Sequence, residues 1–175
     1  KTVIAGGAPL NKEVEDFLHL IKFPYVVGYG MTECAPLITV EMLGNYRPHS
    51  VGRAIHCVDM KIDSSDPQNV PGEILVKGRN VMIGYYKNEE ATKEAIKDGY
   101  FHTGDLGYID EDGFVHITGR KKNIIVLDNG KNIYPEEIED KLNNMPYVSE
   151  SIVVQQNGKL VGLVYPDFDD AFAHG

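Results

Sequence analysis

The chain has 175 residues, of which 42% are hydrophobic and 25% are charged, as in an ordinary folded globular protein. Its 17 basic and 26 acidic residues give a net charge of −9, which argues against a nucleic acid as partner, because phosphate backbones are bound by clusters of lysine and arginine. No run of 18 apolar residues is present, so no integral membrane segment is expected.

Residues 1–49 have the pattern of the end of a parallel α/β sheet. Residues 2–5 and 23–28 are typical of short buried strands, and apolar residues recur at helical spacing between them. Asn11 is expected to cap this helix. Ligands of parallel sheets bind beyond the carboxyl ends of the strands. Tyr29 directly follows the second strand, so it is expected to lie where a ligand would bind.

Residues 50–119 are predicted to form a β-rich subdomain, a distorted barrel. Turn sequences separate its short strand candidates, and one helix over residues 89–97 has Asn88 as its cap. The strand candidates are residues 58–63, 73–77, 81–85 and 114–118.

Residues 123–175 indicate part of a small α+β domain. A strand over 124–127 precedes a turn at 128–130 and a helix that begins at Pro135. A hairpin follows, with strands 151–155 and 160–165. The predicted fold is therefore mixed α+β, with a domain boundary at residues 120–122 between the β-rich subdomain and the small domain.

The sequence Tyr-Gly-Met-Thr-Glu at residues 29–33 combines groups that suit a nucleotide. The ring of Tyr29 can stack on a base, and Gly30 leaves space for it. Thr32 offers a hydroxyl to a phosphate oxygen, and Glu33 is a hard oxygen ligand for Mg²⁺. Taken singly, these residues are equally typical of a strand-end tyrosine and a solvated surface carboxylate.

Two charged residues further along the chain suit the sugar and phosphates. Asp105 lies between glycines and is expected on a tight turn, from which its carboxylate can accept both ribose hydroxyls. An aspartate beside glycine also commonly forms an Asx turn. Arg120 is a permanent cation whose planar donor fork suits ribose or phosphate. Two cysteines, Cys34 and Cys57, fit no metal-ligand spacing and are expected to be free thiols.

In this order the motifs resemble those of the adenylate-forming superfamily, which includes acyl- and aryl-CoA synthetases, nonribosomal peptide adenylation domains and beetle luciferases. Residues 99–107 match its ribose-binding motif, and residues 29–33 resemble its adenine-and-magnesium motif. Residues 71–85 resemble a further motif, to which no chemistry is assigned. Residues 30–36 and 123–134 resemble bacterial long-chain fatty acyl-CoA ligases.

The resemblance implies a role for each matching residue. Thr32 and Glu33 are implied as catalytic, Glu33 as the metal ligand and Lys122 as the hinge residue. The implied nucleotide- and cofactor-binding residues are Gly7, Ala8, Pro9, Gly28, Tyr29, Gly30, Met31, Thr32, Asp105, Arg120 and Gly130.

The resemblance also implies an activity, in which ATP and Mg²⁺ activate a carboxylic acid to acyl-AMP, and coenzyme A then displaces AMP. A medium- or long-chain fatty acid is the expected small-molecule substrate. The resemblance also implies a cytoplasmic location, either free or in peripheral association with the inner membrane. It further implies that the full-length protein forms a homodimer.

The family's glycine-rich phosphate loop and its C-terminal lysine are not found in the sequence. The chain is therefore expected to be a fragment that does not turn over by itself. Two alternatives stay open: an adenylation module that loads a carrier protein, and a non-catalytic nucleotide-binding or interaction module.

Overall fold

The computed structural model describes residues 2–127 and 130–174. The chain divides into two compact units, Lys1–Ile117 and Thr118–Gly175. Each unit mixes helices and strands, so the predicted α+β class is confirmed.

The first unit opens with a four-stranded sheet. Its first two strands are parallel and flank a helix, as predicted, and the next two add antiparallel. Asn11 caps the helix, because its side-chain oxygen accepts hydrogen bonds from two main-chain N–H groups of the first turn. The elements are β1 (Val3–Ala5), α1 (Lys12–Leu20), β2 (Tyr25–Gly30), β3 (Leu37–Val40) and β4 (Arg53–Ala54).

Helix α1 places its apolar stripe on the outside of the unit. Phe17 and Leu20 are exposed, whereas Glu15 is buried and accepts a hydrogen bond from the main-chain N–H of His49. The periodicity of the apolar residues thus predicts the helix correctly, although this stripe does not face the described core.

The first unit also contains a second sheet, which is curled into a half-barrel. This sheet agrees with the β-rich fold predicted for this part of the chain. Its strand order is β5-β6-β8-β7, with β9 pairing β8. The elements are β5 (Val58–Asp63), β6 (Gly72–Gly78), α2 (Glu89–Ala95), β7 (Ile96–Lys97), β8 (Tyr100–Ile109) and β9 (Val115–Arg120).

The predicted strand at residues 81–85 is wrong. This segment forms turns and a single bridge between Tyr85 and Asn88. The main-chain N–H of Tyr85 donates to the side-chain oxygen of Thr92 at 2.9 Å rather than to a neighbouring strand. Helix α2 is also shorter than predicted, since it ends at Ala95 and the next two residues join the sheet as β7.

The core of the first unit lies between its two sheets. Cys34 and Ile38 come from the first sheet region, and Ile74, Val76 and Val115 come from the second. All five side chains are inaccessible to solvent. This shared core fixes the ends of β2 and β8 relative to each other.

In its described residues the second unit contains a two-stranded pair, two helices and the predicted hairpin. The hairpin is longer than expected and pairs antiparallel, with one register shift between Val148 and Glu150. Pro135 occupies the first turn of its helix, as predicted. The predicted turn at Asp128-Asn129 lies outside the described residues. The elements are β10 (Ile125–Val126), β11 (Asn132–Ile133), α3 (Pro135–Asn143), β12 (Val148–Gln156), β13 (Lys159–Pro166) and α4 (Phe168–His174).

None of the helices formed by residues 2–127 and 130–174 has both the length and the apolar character needed to cross a membrane.

The placement of the core predicts that alanine substitutions of two isoleucines change the free energy of unfolding by unequal amounts. Ile74 is fully buried and Ile83 is fully exposed. We expect Ile74→Ala to lower the free energy of unfolding by about 2–5 kcal/mol, because it leaves a cavity. Ile83→Ala should change it by less than about 0.5 kcal/mol. Urea denaturation followed by circular dichroism measures both, and equal shifts in the two variants would contradict the placement of the core.

Candidate functional site

Tyr29 and Asp105, the residues predicted to hold a nucleoside, lie side by side. Tyr29 is near the end of β2 and Asp105 is in β8, and the phenol of Tyr29 donates a hydrogen bond to Oδ2 of Asp105 at 2.7 Å. Burial, and then the neighbouring Asp105 carboxylate, raise the pKa of Tyr29 above its usual range. Tyr29 is therefore a neutral donor at physiological pH.

The sequence suggests that Asp105 lies on a turn. In the structure it lies instead in a bulge inside β8. Glu73 pairs with Leu106 and Leu75 pairs with His102, so one residue of β6 lies opposite three residues of β8. Gly104 takes a φ of +71° in this bulge, a conformation that favours glycine. Bulges re-aim side chains next to functional sites, and this one sets the direction of Asp105.

Glu73 holds the bulge from the neighbouring strand. Its side chain is only 6% exposed, and its carboxylate accepts a hydrogen bond from the main-chain N–H of Gly104 at 3.2 Å. The other carboxylate oxygen lies 3.0 Å from Nδ1 of His102. Thr103 adds a further tie, because its hydroxyl donates to the carbonyl of Ile74 and accepts from the N–H of Asp105.

Glu73 is a residue that sequence reasoning missed. It lies in the family-like stretch at residues 71–85, for which only a structural role is expected from sequence. Nothing in the local pattern shows that Glu73 contacts the bulge, because the two segments are about 30 residues apart.

The loop after β2 turns sharply back on itself. A 3₁₀ turn over Thr32–Cys34 ends at Ala35, which has a φ of +50°. A Cβ atom at Gly30 would overlap the carbonyl of Pro36, so the return of the loop requires glycine. Met31 packs against the core, whereas Thr32 is exposed at the surface of the loop.

Glu33 is the predicted metal ligand, and it is partly exposed on this loop. Oε1 of its carboxylate accepts a hydrogen bond from the phenol of Tyr85 at 3.0 Å. Burial and then this hydrogen bond raise the pKa of Tyr85 above its ordinary value. Burial, followed by the charge of Glu33, raises the pKa of the Cys34 thiol to about 11. Cys34 and Cys57 are both free.

The residues around Glu33 fit one particular kind of metal site. In residues 2–127 and 130–174 no group of three or more His, Cys, Asp or Glu side chains could hold a metal ion. A single carboxylate suits Mg²⁺ that is bound largely through substrate phosphates and water. It does not suit a metal that needs a complete set of protein ligands, such as structural zinc.

The glycine loop after β1 lies beside the end of β2. A Cβ atom at Gly6 would be 3.1 Å from the carbonyl of Gly28, so the two strand ends approach closely. Gly7 has a φ of +86° and no atom within 4 Å of a built Cβ, which leaves open space above the loop. Ala8 and Pro9 are exposed on the same loop.

Arg120, Lys122 and Gly130 belong to the second unit. Arg120 is exposed, and its main-chain N–H donates to Glu136 at 3.3 Å. Lys122 is exposed in a 3₁₀ turn over Lys121–Asn123, and Gly130 has a φ of +78°. The roles predicted for these three residues remain predictions.

Glu136 is a second residue that sequence reasoning missed. The same carboxylate oxygen that accepts from Arg120 also accepts from the side-chain nitrogen of Asn123 at 2.7 Å. A Cβ atom at Gly119 would be 2.7 Å from its other oxygen, so this carboxylate packs closely against the main chain at Gly119. Glu136 therefore ties the predicted hinge segment to the start of α3.

Comparison with known proteins agrees with these motifs. A family model described as "AMP-binding enzyme" matches residues 1–86. A long-chain-fatty-acid–CoA ligase of Mycobacterium bovis is 37% identical over 172 residues, which are 98% of this chain and 28% of the relative. Residues 1–86 thus match the AMP-binding enzyme family, and the similarity to this relative extends over nearly the whole chain.

Other similar proteins are named for a different substrate. A 2-succinylbenzoate–CoA ligase of Bacillus cytotoxicus is also 37% identical, over 94% of this chain and 35% of the relative. The O-succinylbenzoate coenzyme A synthetase of Bacillus subtilis, solved in complex with ATP and magnesium ion, superimposes with a TM-score of 0.85 at 30% identity. That match covers 95% of this chain and 37% of the other. The chain thus spans about a third of the length of these relatives.

The Tyr29–Asp105 hydrogen bond predicts a measurable loss of stability. Tyr29→Phe removes a donor from Asp105, which is only 5% exposed. We expect a fall of about 1–3 kcal/mol in the free energy of unfolding, because a buried carboxylate loses part of its solvation. Tyr86→Phe, at an 87% exposed tyrosine, is the matched control and should change little. Urea unfolding of both variants tests this, and a neutral Tyr29→Phe would contradict it.

Proposed function

We propose that this chain is the part of an AMP-forming acyl-CoA ligase that holds the adenosine monophosphate half of ATP and of the acyl-adenylate. The hydrogen bond between Tyr29 and Asp105 is the observation that supports this most. It joins an aromatic ring near the end of β2 to a carboxylate that is held in the bulge of β8. Such a pair offers a face for adenine and an acceptor for ribose hydroxyls.

In the first half-reaction these residues bind and orient the nucleotide. Asp105 accepts hydrogen bonds from the ribose, and the glycines at positions 7 and 30 let the nucleotide approach the backbone. Thr32 donates its hydroxyl to a phosphate oxygen, and Glu33 holds the cation. When bound, Mg²⁺ neutralises charge that develops on the departing pyrophosphate. Positioning of this kind, without a covalent enzyme intermediate, suits the attack of a carboxylate on the α-phosphate.

The second half-reaction is proposed to use the second unit. Residues 1–49 and 50–119 form the two parts of the large domain, and residues 123–175 form part of a small domain that turns about a hinge at 120–122. Lys122 absorbs the backbone rotation, and Arg120 contacts ribose or phosphate. Gly130 borders the passage for the pantetheine arm. The exposure of Arg120 and Lys122 is compatible with such a movement.

The proposed acid substrate is a medium- or long-chain fatty acid, and the proposed acceptor is coenzyme A. The long-chain-fatty-acid–CoA ligase of Mycobacterium bovis supports both proposals. The 2-succinylbenzoate–CoA ligase of Bacillus cytotoxicus supports coenzyme A and is equally identical. A panel of palmitate, octanoate and 2-succinylbenzoate, each tested for acyl-CoA formation by the full-length protein, distinguishes these acids.

The ribose contact predicts a loss of nucleotide affinity. Asp105→Asn keeps the side-chain shape but removes the negative charge that strengthens hydrogen bonds from ribose. We expect AMP affinity to fall at least about tenfold, as for hydrogen bonds to charged groups. Calorimetric titration of the full-length protein with AMP measures this. Asp63→Asn, at an exposed aspartate of β5, is the control. Unchanged AMP binding in Asp105→Asn would refute the proposed site.

The short span of the chain predicts a difference in turnover. The 175-residue chain, incubated with ATP, Mg²⁺ and palmitate, should release pyrophosphate no faster than a buffer blank. The full-length protein should release it readily, because it would supply the phosphate loop and the C-terminal lysine that the resemblance implies. Release by the short chain well above the blank would show that these 175 residues are sufficient for adenylation.

A further inference from the structure

Residues 80–85, which the proposed mechanism does not use, lie against the loop that carries Glu33. Asn80 donates its side-chain N–H groups to the carbonyls of Cys34 and Leu37, at 3.0 and 2.8 Å. The main-chain N–H of Met82 donates to the carbonyl of Glu33 at 2.7 Å. Three hydrogen bonds thus connect this segment, here called the strap, to the Glu33 loop.

The Glu33 loop needs such support because its backbone is unusual. Ala35 has a φ of +50°, a region that a residue with a Cβ seldom adopts. The carbonyls of Cys34 and Leu37, on either side of this turn, accept hydrogen bonds from the side chain of Asn80 in the strap. The strap therefore fixes the position of the main chain at Glu33.

One contact from the strap reaches the Glu33 carboxylate itself. The phenol of Tyr85 donates to Oε1 of Glu33 at 3.0 Å. No hydrogen bond from residues 2–117 involves the other carboxylate oxygen, Oε2. A donor on one oxygen holds the carboxylate in one rotamer while leaving the second oxygen available.

Tyr85 is in turn held by the start of α2. Its main-chain N–H donates to the hydroxyl of Thr92 at 2.9 Å, and that hydroxyl donates to the carbonyl of Asn88 at 2.8 Å. Asn88 also caps α2 through its side-chain oxygen. A Cβ atom at Gly84 would be 2.8 Å from the side chain of Thr92, so the chain approaches the helix closely there. Tyr85 is consequently anchored to a rigid element.

We propose that Tyr85 is a positioning residue for the metal-binding carboxylate of Glu33. This inference rests on the proposed function, since it assigns Tyr85 to the cation site of the same nucleotide. Partners that hydrogen-bond to a metal ligand orient that ligand, and losing them commonly weakens metal affinity. Without the phenol, the glutamate would sample more rotamers, and ordering them again on metal binding costs conformational entropy.

A purely structural role for the Tyr85 hydroxyl predicts a different pattern. The side chain is 39% exposed, so Tyr85→Phe keeps the packing of the ring and removes only the hydroxyl. A hydroxyl that served folding would affect all ligands of the site alike. A hydroxyl that orients Glu33 affects the metal and leaves the adenosine contacts, which lie on Tyr29 and Asp105, unchanged.

The experiment compares Tyr85→Phe, Tyr86→Phe and the wild-type full-length protein. Mn²⁺ serves as the probe, because it takes oxygen ligands like Mg²⁺ and has an electron paramagnetic resonance signal. Each protein is titrated with Mn²⁺ in the presence of ATP, and AMP binding without metal is measured by calorimetry. We expect Tyr85→Phe to weaken Mn²⁺ binding about 3- to 10-fold, the range for one lost hydrogen bond, with AMP affinity unchanged. Tyr86, an exposed neighbour, supplies the same substitution as a control.

The outcomes separate this inference from the function on which it rests. If Tyr85→Phe binds Mn²⁺ as tightly as the wild type does, the inference is wrong but the proposed function stands. The same conclusion follows if Tyr85→Phe loses Mn²⁺ binding and AMP binding equally. A wild-type protein that binds neither AMP nor Mn²⁺ with ATP overturns the proposed function and the inference together. Weakened Mn²⁺ binding in Tyr85→Phe only, with unchanged AMP affinity, supports both.

Discussion

The hydrogen bond from Tyr29 to Asp105 joins the two sheets of the first unit at the place where the candidate site lies. Removing a carboxylate from water is costly unless donors replace the lost hydration. Asp105 meets this requirement through the phenol of Tyr29 and through the bulge that Glu73 and Thr103 hold in shape. The site therefore depends on the same contacts that hold the sheets together, and a nucleotide would meet groups already in place.

The bulge in β8 changes the direction of side chains within an otherwise regular sheet. Regular pairing between β6 and β8 would give every residue of β8 a direction set by the alternation of the strand. The additional residues at Thr103 and Gly104 interrupt that alternation. Glu73 then ties the irregular segment to β6, so the bulge is ordered rather than loose.

The sequence predicts well those features that depend on neighbours along the chain. The cap at Asn11, the start of α3 at Pro135 and the hairpin of β12 and β13 all follow from local patterns. The motifs also identify Tyr29 and Asp105 as candidates for one site before any geometry is known. In the structure the two side chains are hydrogen-bonded to each other, although 76 residues separate them in the sequence.

Contacts between distant segments are what the sequence does not reveal. The bulge at Asp105 looks like a turn because Gly104 precedes it, and only pairing with β6 shows that the strand continues. Residues 81–85 look like a strand because they are apolar, yet hydrogen bonds to Thr92 and Glu33 set their path. Glu73 holds the bulge that carries Asp105, and Tyr85 donates a hydrogen bond to Glu33. The partners in each contact are far apart along the chain, so no local sequence pattern reveals either contact.

The burial of Cys34 also determines how the chain can be labelled. A thiol reacts with electrophiles as its thiolate, and with a pKa of about 11 Cys34 is protonated at neutral pH as well as shielded from solvent. Cys57, partly exposed beside β5, is the more accessible thiol. A maleimide dye would therefore react with Cys57 in preference to Cys34, so the first unit can be labelled at one position without removing a native cysteine.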